Sequence, residues 1–132
     1  MRRKQRVMVY GTLRRHGSNH GYLRGAHYLG QLLTEPVFTL LDVGPWPGVV
    51  EEGSTAIVTE VYRVTPAMLA RLDRLEDCPL RYRRIVLATP WGRAWLYVYR
   101  PPFRGHKRID SGDWMAHDHR RRTTRPPRPA GR

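Results

Sequence analysis

One stretch of this chain carries the marks of a helix, and most of the rest alternates as strands. That ratio constrains the fold more than any other feature. Thr65-Pro66 offers a hydroxyl N-cap followed by proline at the first helical position. Leu69, Leu72 and Leu75 then recur every three residues and give the helix one apolar face. Pro79 favours an end just beyond Glu76. Residues 55–64 alternate, with Ile57, Thr59, Val61 and Arg63 on one face and Ala56, Val58, Glu60 and Tyr62 on the other. Residues 85–88 and 94–99 flank Thr89-Pro90-Trp91-Gly92-Arg93, a hairpin loop containing glycine. Residues 28–34 and 37–42 are further strand candidates split by Pro36, and Gly44-Pro45-Trp46-Pro47-Gly48 is a stiff loop. No internal repeat is visible. Several strands and one helix in 132 residues argue for one α+β, mainly β domain, a small mixed β-barrel rather than alternating βα units.

The N-terminal end of this pattern is where chemistry enters. Val7-Met8-Val9-Tyr10 reads as a buried strand, and Gly11-Thr12-Leu13 breaks it. Glycine allows close approach to the backbone, and successive free N–H groups form a small anion-binding nest. Alone, such a turn is more often just a turn. A second signal lies about sixty residues downstream, where Glu76 follows the last leucine of the helical stripe. A carboxylate at the edge of an apolar face is partly desolvated, and Asp77 beside it adds like charge. Both effects raise the pKa of Glu76 toward the range useful for proton transfer near neutral pH. By itself, the Glu76-Asp77 pair more often only solvates a helix end.

Taken together these segments resemble the gamma-glutamylcyclotransferase-like family, which includes AIG2-like and gamma-glutamylamine cyclotransferase proteins, and most of all its small bacterial YtfP-like members. The resemblance rests on Val9-Tyr10-Gly11-Thr12-Leu13-Arg14, Trp46-Pro47-Gly48-Val49, Leu72-Asp73-Arg74-Leu75-Glu76 with Tyr82-Arg83, and Ser111-Gly112-Asp113-Trp114. Ala94-Trp95-Leu96-Tyr97-Val98-Tyr99 lies between the last two. No single motif is specific, but their order and spacing in so short a chain are. The resemblance implies a compact β-barrel with a few helices. It also implies cyclisation of a γ-glutamyl amine or amino acid to 5-oxoproline with release of the free amine. Carried onto this chain, Tyr10, Gly11, Thr12 and Leu13 hold the substrate and Glu76 is the acid/base residue. Tyr82 and Tyr99 adjoin the motifs and are either pocket hydroxyls or tyrosines at the barrel rim. The family acid is often followed by glycine, where this chain has Asp77. Some small bacterial members lack the glutamate altogether; this chain keeps it.

The implied reaction explains the residue types. The substrate's α-amine attacks its own γ-carbonyl, so no protein nucleophile is required. One carboxylate can take the ammonium proton and pass it to the leaving amine. Fixed N–H donors can stabilise the oxyanion, and ring closure needs the reacting atoms held in line. Neither a metal nor an organic cofactor is required. His16, His20 and His27 lie in a Gly-rich connection without Cys or acidic ligands, which argues against zinc. Gly17-Ser18-Asn19-His20-Gly21 lacks the Lys-Ser/Thr of a phosphate-binding loop. Cys78, the single cysteine, has no positioned His partner and reads as a loop residue.

Charge bounds the partners. The net charge is +13, but Arg2, Arg3, Lys4 and Arg6 precede the first strand, and six arginines lie beyond His117 with Asp118 as the only acid. Setting these aside leaves fourteen basic and ten acidic side chains, or +4. The sequence therefore divides into a domain over 1–116 and a basic, Pro-rich tail over 117–132 expected to be disordered. Such ends can touch nucleic acid weakly and without sequence choice. No apolar run has transmembrane length, and the basic start leads into a strand rather than a secretory core. With one cysteine, the expectation is a cytoplasmic protein. A non-catalytic small-molecule binding module and a nucleic-acid-associated protein remain as alternatives.

Overall fold

The first apolar run is the middle strand of the larger of two sheets. The computed structural model describes residues 5–103 and 105–124. The elements are β1 (Gln5–Val9), a single 3-10 turn (His20–Leu23), β2 (His27–Leu33), β3 (Phe38–Asp42), β4 (Pro47–Thr55), β5 (Val58–Val64), α1 (Pro66–Leu75), β6 (Tyr82–Thr89), β7 (Gly92–Tyr99), β8 (Lys107–Arg108) and α2 (Trp114–Thr124). Five strands form one sheet in the order β2-β5-β1-β7-β6, and three form another in the order β4-β3-β8. β1 runs antiparallel to β5 and parallel to β7. Its unbroken Val7-Met8-Val9 is apolar because both faces are covered.

Those faces meet different layers. Met8, Val61, Leu96 and Val98 pack with Phe38, Leu40 and Val49 of the small sheet and with Trp114 of α2. Val7, Val9, Tyr62, Val64 and Tyr97 pack with Met68, Leu69 and Leu72 of α1. The expected alternation of β5 therefore holds: Ile57 and Val61 face one layer, Tyr62 the other. The helix starts as read, with Thr65 Oγ1 accepting the Met68 N–H at 3.1 Å and Pro66 in its first turn. The expected hairpin is also present, with Thr89 paired to Gly92 and only Pro90-Trp91 between the strands.

Two expectations need correction. The α+β, mainly β class holds, but the sheets do not close into a barrel. The chain passes from β4 to β5 at Ala56-Ile57. There the Ile57 N–H donates to Thr34 Oγ1 at 2.8 Å and the Val58 N–H to the Gly112 carbonyl at 2.9 Å. A side chain and a loop carbonyl take these donors, so no ladder joins the two sheets at this corner. The second concerns the C-terminal part. α2 runs on to Thr124, through residues assigned from composition to a disordered tail. His117 Nε2 lies 2.8 Å from Asp42 Oδ2 at the end of β3, and its ring stacks on buried Trp114 with centroids 5.7 Å apart. Composition detects the arginines but not this tertiary contact. Residues 125–132 and the basic residues before Gln5 lie outside the described residues.

Truncation after Ala116 should therefore leave both sheets folded at a modest cost. One half-buried hydrogen-bonded pair is lost, worth about 1 kcal/mol. The urea midpoint should fall at an unchanged m-value. A truncated chain that no longer unfolds cooperatively would make α2 integral to the domain.

Candidate active site

A cavity opens where β1 ends, walled by the turn after it, the loop before β4, the end of α1, and β6 and β7. Tyr10, Gly11, Thr12 and Leu13 line it, as do Glu76, Asp77 and Tyr82. The first strand and the helix end thus bring the two sequence signals to one place. Tyr99 does not line this cavity. It packs edge-on against Tyr82, with centroids 5.3 Å apart, beside an adjoining groove.

The turn is held by its own backbone. The Arg14 N–H donates to the Gly11 carbonyl at 3.0 Å, and the Asn19 N–H to the Thr12 carbonyl at 2.9 Å. Asn19 Nδ2 donates to Thr12 Oγ1 at 2.9 Å, and His20 Nδ1 lies 2.9 Å from the Leu13 carbonyl. These contacts fix the turn's carbonyls and the Thr12 side chain. Among the described residues nothing accepts from the N–H groups of Gly11, Thr12 or Leu13. Three successive donors at a cavity wall are suited to an anion.

Gly11 is required for a different reason from the one the sequence suggests. A Cβ there would sit 2.6 Å from Pro47 Cγ and 2.7 Å from Cδ. The constraint is a rigid proline ring packed on the turn, not the approach of a ligand. Gly11→Ala should accordingly destabilise the fold by about 1–3 kcal/mol through overpacking. A thermal melt would show it. An unchanged melt with weakened ligand binding would restore the ligand-approach explanation.

Glu76 caps the C-terminal end of α1, its N–H donating to the Leu72 carbonyl at 2.9 Å. Burial raises its carboxyl pKa from 4.5 to about 7. The expected contribution of Asp77 is absent, because Asp77 is solvent-exposed and the shift comes from desolvation. Asp77 instead has φ 52°, in the left-handed region just after the helix. That conformation favours glycine and tolerates Asp, which accounts for the family's frequent glycine at this place.

The tyrosines do structural work at the cavity wall. Tyr10 Oη donates to the Tyr97 carbonyl at 2.8 Å and accepts the Val49 N–H at 3.1 Å. Burial, then the Tyr82 and Glu76 charges, hold its pKa well above the ordinary phenol value. Tyr82 Oη donates to the Pro47 carbonyl at 2.6 Å, and burial raises its pKa as well. Both phenols stay neutral. Tyr97, Arg81, Asn19, Trp46 and Pro47 also line the cavity. Sequence reading did not single out the first three. Tyr97 had a usable signal: it shares the face of β7 that carries Tyr99, one step nearer the cavity.

The matched motifs prove to be junctions. Pro47 packs on Gly11 and accepts from Tyr82, while Gly48 makes room for Tyr99, whose Cβ would lie 2.8 Å from an added Cβ. Gly112 has φ 69° and would drive a Cβ into the Ala56 carbonyl at 1.9 Å. Arg14, directly after the turn, is buried. Its Nε donates to Glu60 Oε2 at 3.1 Å and its Nη1 to Asp113 Oδ1 at 2.9 Å. Glu60, 3% exposed, also accepts the Arg15 N–H at 2.9 Å and Tyr62 Oη at 2.8 Å.

Comparison with known proteins agrees with this arrangement. The profile of the family described as "Gamma-glutamyl cyclotransferase, AIG2-like" matches residues 7–116. The chain is 51% identical over 108 residues to a Vibrio cholerae protein provisionally named a gamma-glutamylcyclotransferase, covering 82% of this chain and 93% of that one. It is 40% identical over 113 residues to the gamma-glutamylcyclotransferase family protein YtfP of Escherichia coli, covering 86% and 98%. The crystal structure of an uncharacterized Pyrococcus horikoshii protein superposes with a TM-score of 0.78 at 32% identity, covering 92% of this chain and 99% of that one. The profile spans both the turn after β1 and the carboxyl at the end of α1, and on that ground the chain belongs to the gamma-glutamyl cyclotransferase, AIG2-like family.

Proposed function

We propose that this protein cyclises a γ-glutamyl amine or amino acid to 5-oxoproline and releases the free amine. One observation carries the reading: a carboxyl with a pKa of about 7 shares a cavity with three unengaged backbone N–H groups. The substrate's α-nitrogen forms the ring C–N bond with its own γ-carbon, and the bond from that carbon to the leaving nitrogen breaks. Glu76 takes the proton that the α-ammonium must lose and returns it to the leaving nitrogen, so no net proton or water is consumed. The N–H groups of Gly11, Thr12 and Leu13 receive the developing oxyanion or the α-carboxylate. Tyr10 and Tyr82 shape the wall with their hydroxyls engaged elsewhere, and ring closure draws most of its advantage from such confinement. No step calls for a metal or organic cofactor.

The test is release of 5-oxoproline by the purified protein from a panel of γ-glutamyl amides and dipeptides. Release supports the reading. Binding of these ligands without release leaves a binding module with the same pocket. Among the described residues no helix is long and apolar enough to cross a membrane. The nucleic-acid alternative rests on the basic ends, most of which lie outside the described residues.

A further inference from the structure

The cavity does not end at Glu76. A second, more open groove continues from it and shares two wall residues with it, Asp77 and Arg81. Its far side carries Arg100 and Tyr99, and Leu80 stands at its edge, 74% exposed. The two arginines are held side by side: the Arg100 N–H donates to the Arg81 carbonyl at 2.9 Å, and the Arg81 N–H donates to the Asp77 carbonyl at 2.8 Å. The Arg100 guanidinium spends one N–H on the Pro79 carbonyl, which ties it to the segment between Glu76 and Arg81. Among the described residues neither guanidinium forms an ion pair with a carboxylate. By contrast Arg14, Arg83 and Arg84 are each matched to an acid.

We propose that this groove is the subsite for the leaving group and that Arg81 and Arg100 bind a carboxylate carried there, so that γ-glutamyl amino acids are preferred over γ-glutamyl alkylamines. The inference rests on the cyclisation reading and refines its substrate class. The leaving nitrogen must lie against Glu76 to collect its proton. The γ-glutamyl half occupies the cavity toward the turn, so the nitrogen's substituent points the other way, past Asp77. An α-carboxylate is one carbon from that nitrogen and enters the groove first. Two cations against one anion, Asp77, favour it there. Guanidinium groups provide paired donors that match a carboxylate's two oxygens. Tyr99 and Leu80 offer apolar surface for a side chain.

The experiment compares γ-glutamylalanine with γ-glutamyl isopropylamide, which differ by a carboxylate in place of a methyl. Wild-type kcat/KM should favour γ-glutamylalanine. Arg100→Ala should lower that ratio about fivefold, and Arg81→Ala with Arg100→Ala about tenfold or more, as expected for exposed charge pairs. The ratio cancels any general loss from altered folding. A ratio near one in the wild type, or one that Arg100→Ala leaves unchanged, overturns the subsite while turnover of both keeps the cyclisation reading. Equal loss of both substrates on Arg81→Ala assigns Arg81 to the shared glutamyl carboxylate and overturns its part in the subsite. If neither compound is turned over, calorimetric binding decides. An Arg100-dependent preference for γ-glutamylalanine keeps the subsite and removes the chemistry, and no binding of either removes both.

Discussion

Replacing Glu76 by glutamine is expected to lower 5-oxoproline release by about two to four orders of magnitude, the usual loss when a general acid–base group is removed. Glutamine keeps the shape of the cavity wall but cannot carry the proton between the two nitrogens. The pH profile sharpens the test. Burial sets the Glu76 carboxyl at about 7, so one limb of the wild-type kcat/KM profile should turn near that pH and be missing from the residual activity of the variant. A variant with near-normal release would move the proton-transfer role away from Glu76.

The same substitution should stabilise the protein above neutral pH. Glu76 ionises at about 7 when folded against an ordinary value of 4.5. Between those values the folded state keeps a proton that the unfolded chain has lost. Folding is therefore penalised increasingly as pH rises through that window, by a fixed amount above about pH 7, and not at all below about pH 4.5. The shift corresponds to at most about 3 kcal/mol. Glutamine never ionises, so Glu76→Gln should melt higher than wild type at pH 8 and alongside it at pH 4. Loss of activity with gain of stability separates a functional carboxyl from one that solvates a helix end, whose removal would gain nothing.

What could be read from the sequence was mostly local. Thr65, Pro66 and the three leucines specify α1 through a cap and a face, and both lie within one or two turns of chain. Alternation assigned Ile57 and Tyr62 to opposite layers for the same reason. Long-range packing left less trace. β4 went unread because its Pro47-Gly48 start and Gly53 look like loop, and only pairing with β3 makes a strand of them. Closure into a barrel depends on which donors meet at Ala56-Ile57, and no periodicity reports that. Along β7, alternation gives Tyr97 and Tyr99 the same face but not their depth, so the residue beyond the cavity was taken for the one at its wall. The requirement for Gly11 was legible, but its partner Pro47 is distant in sequence. The shift of Glu76 was expected in the right direction, with Asp77 wrongly given part of it.

Arg14→Met is expected to destabilise the fold by about 3–5 kcal/mol, because it leaves the buried Glu60 carboxylate without its cation. Methionine fills much of the same volume, so the loss reports on charge rather than on a cavity. The Arg14 side chain is 9% exposed and that of Glu60 is 4%, whereas Asp113 at 32% is accessible to water. Most of the cost therefore arises at Glu60. Lysine should not rescue the site: one ammonium cannot reproduce Nε on Glu60 and Nη1 on Asp113 from the same planar group. Adding Glu60→Leu to Arg14→Met should recover part of the loss, since an apolar replacement of a buried pair is often near neutral. Recovery will be incomplete because the Arg15 N–H and Tyr62 Oη lose their acceptor. Denaturant midpoints of the two single variants and the double variant give the coupling energy directly. A loss under about 1 kcal/mol for Arg14→Met would show that the pair is hydrated. The turn after β1 would then be held by its own backbone and by Pro47 on Gly11, rather than by the ion pair that ties it to β5 and the start of α2.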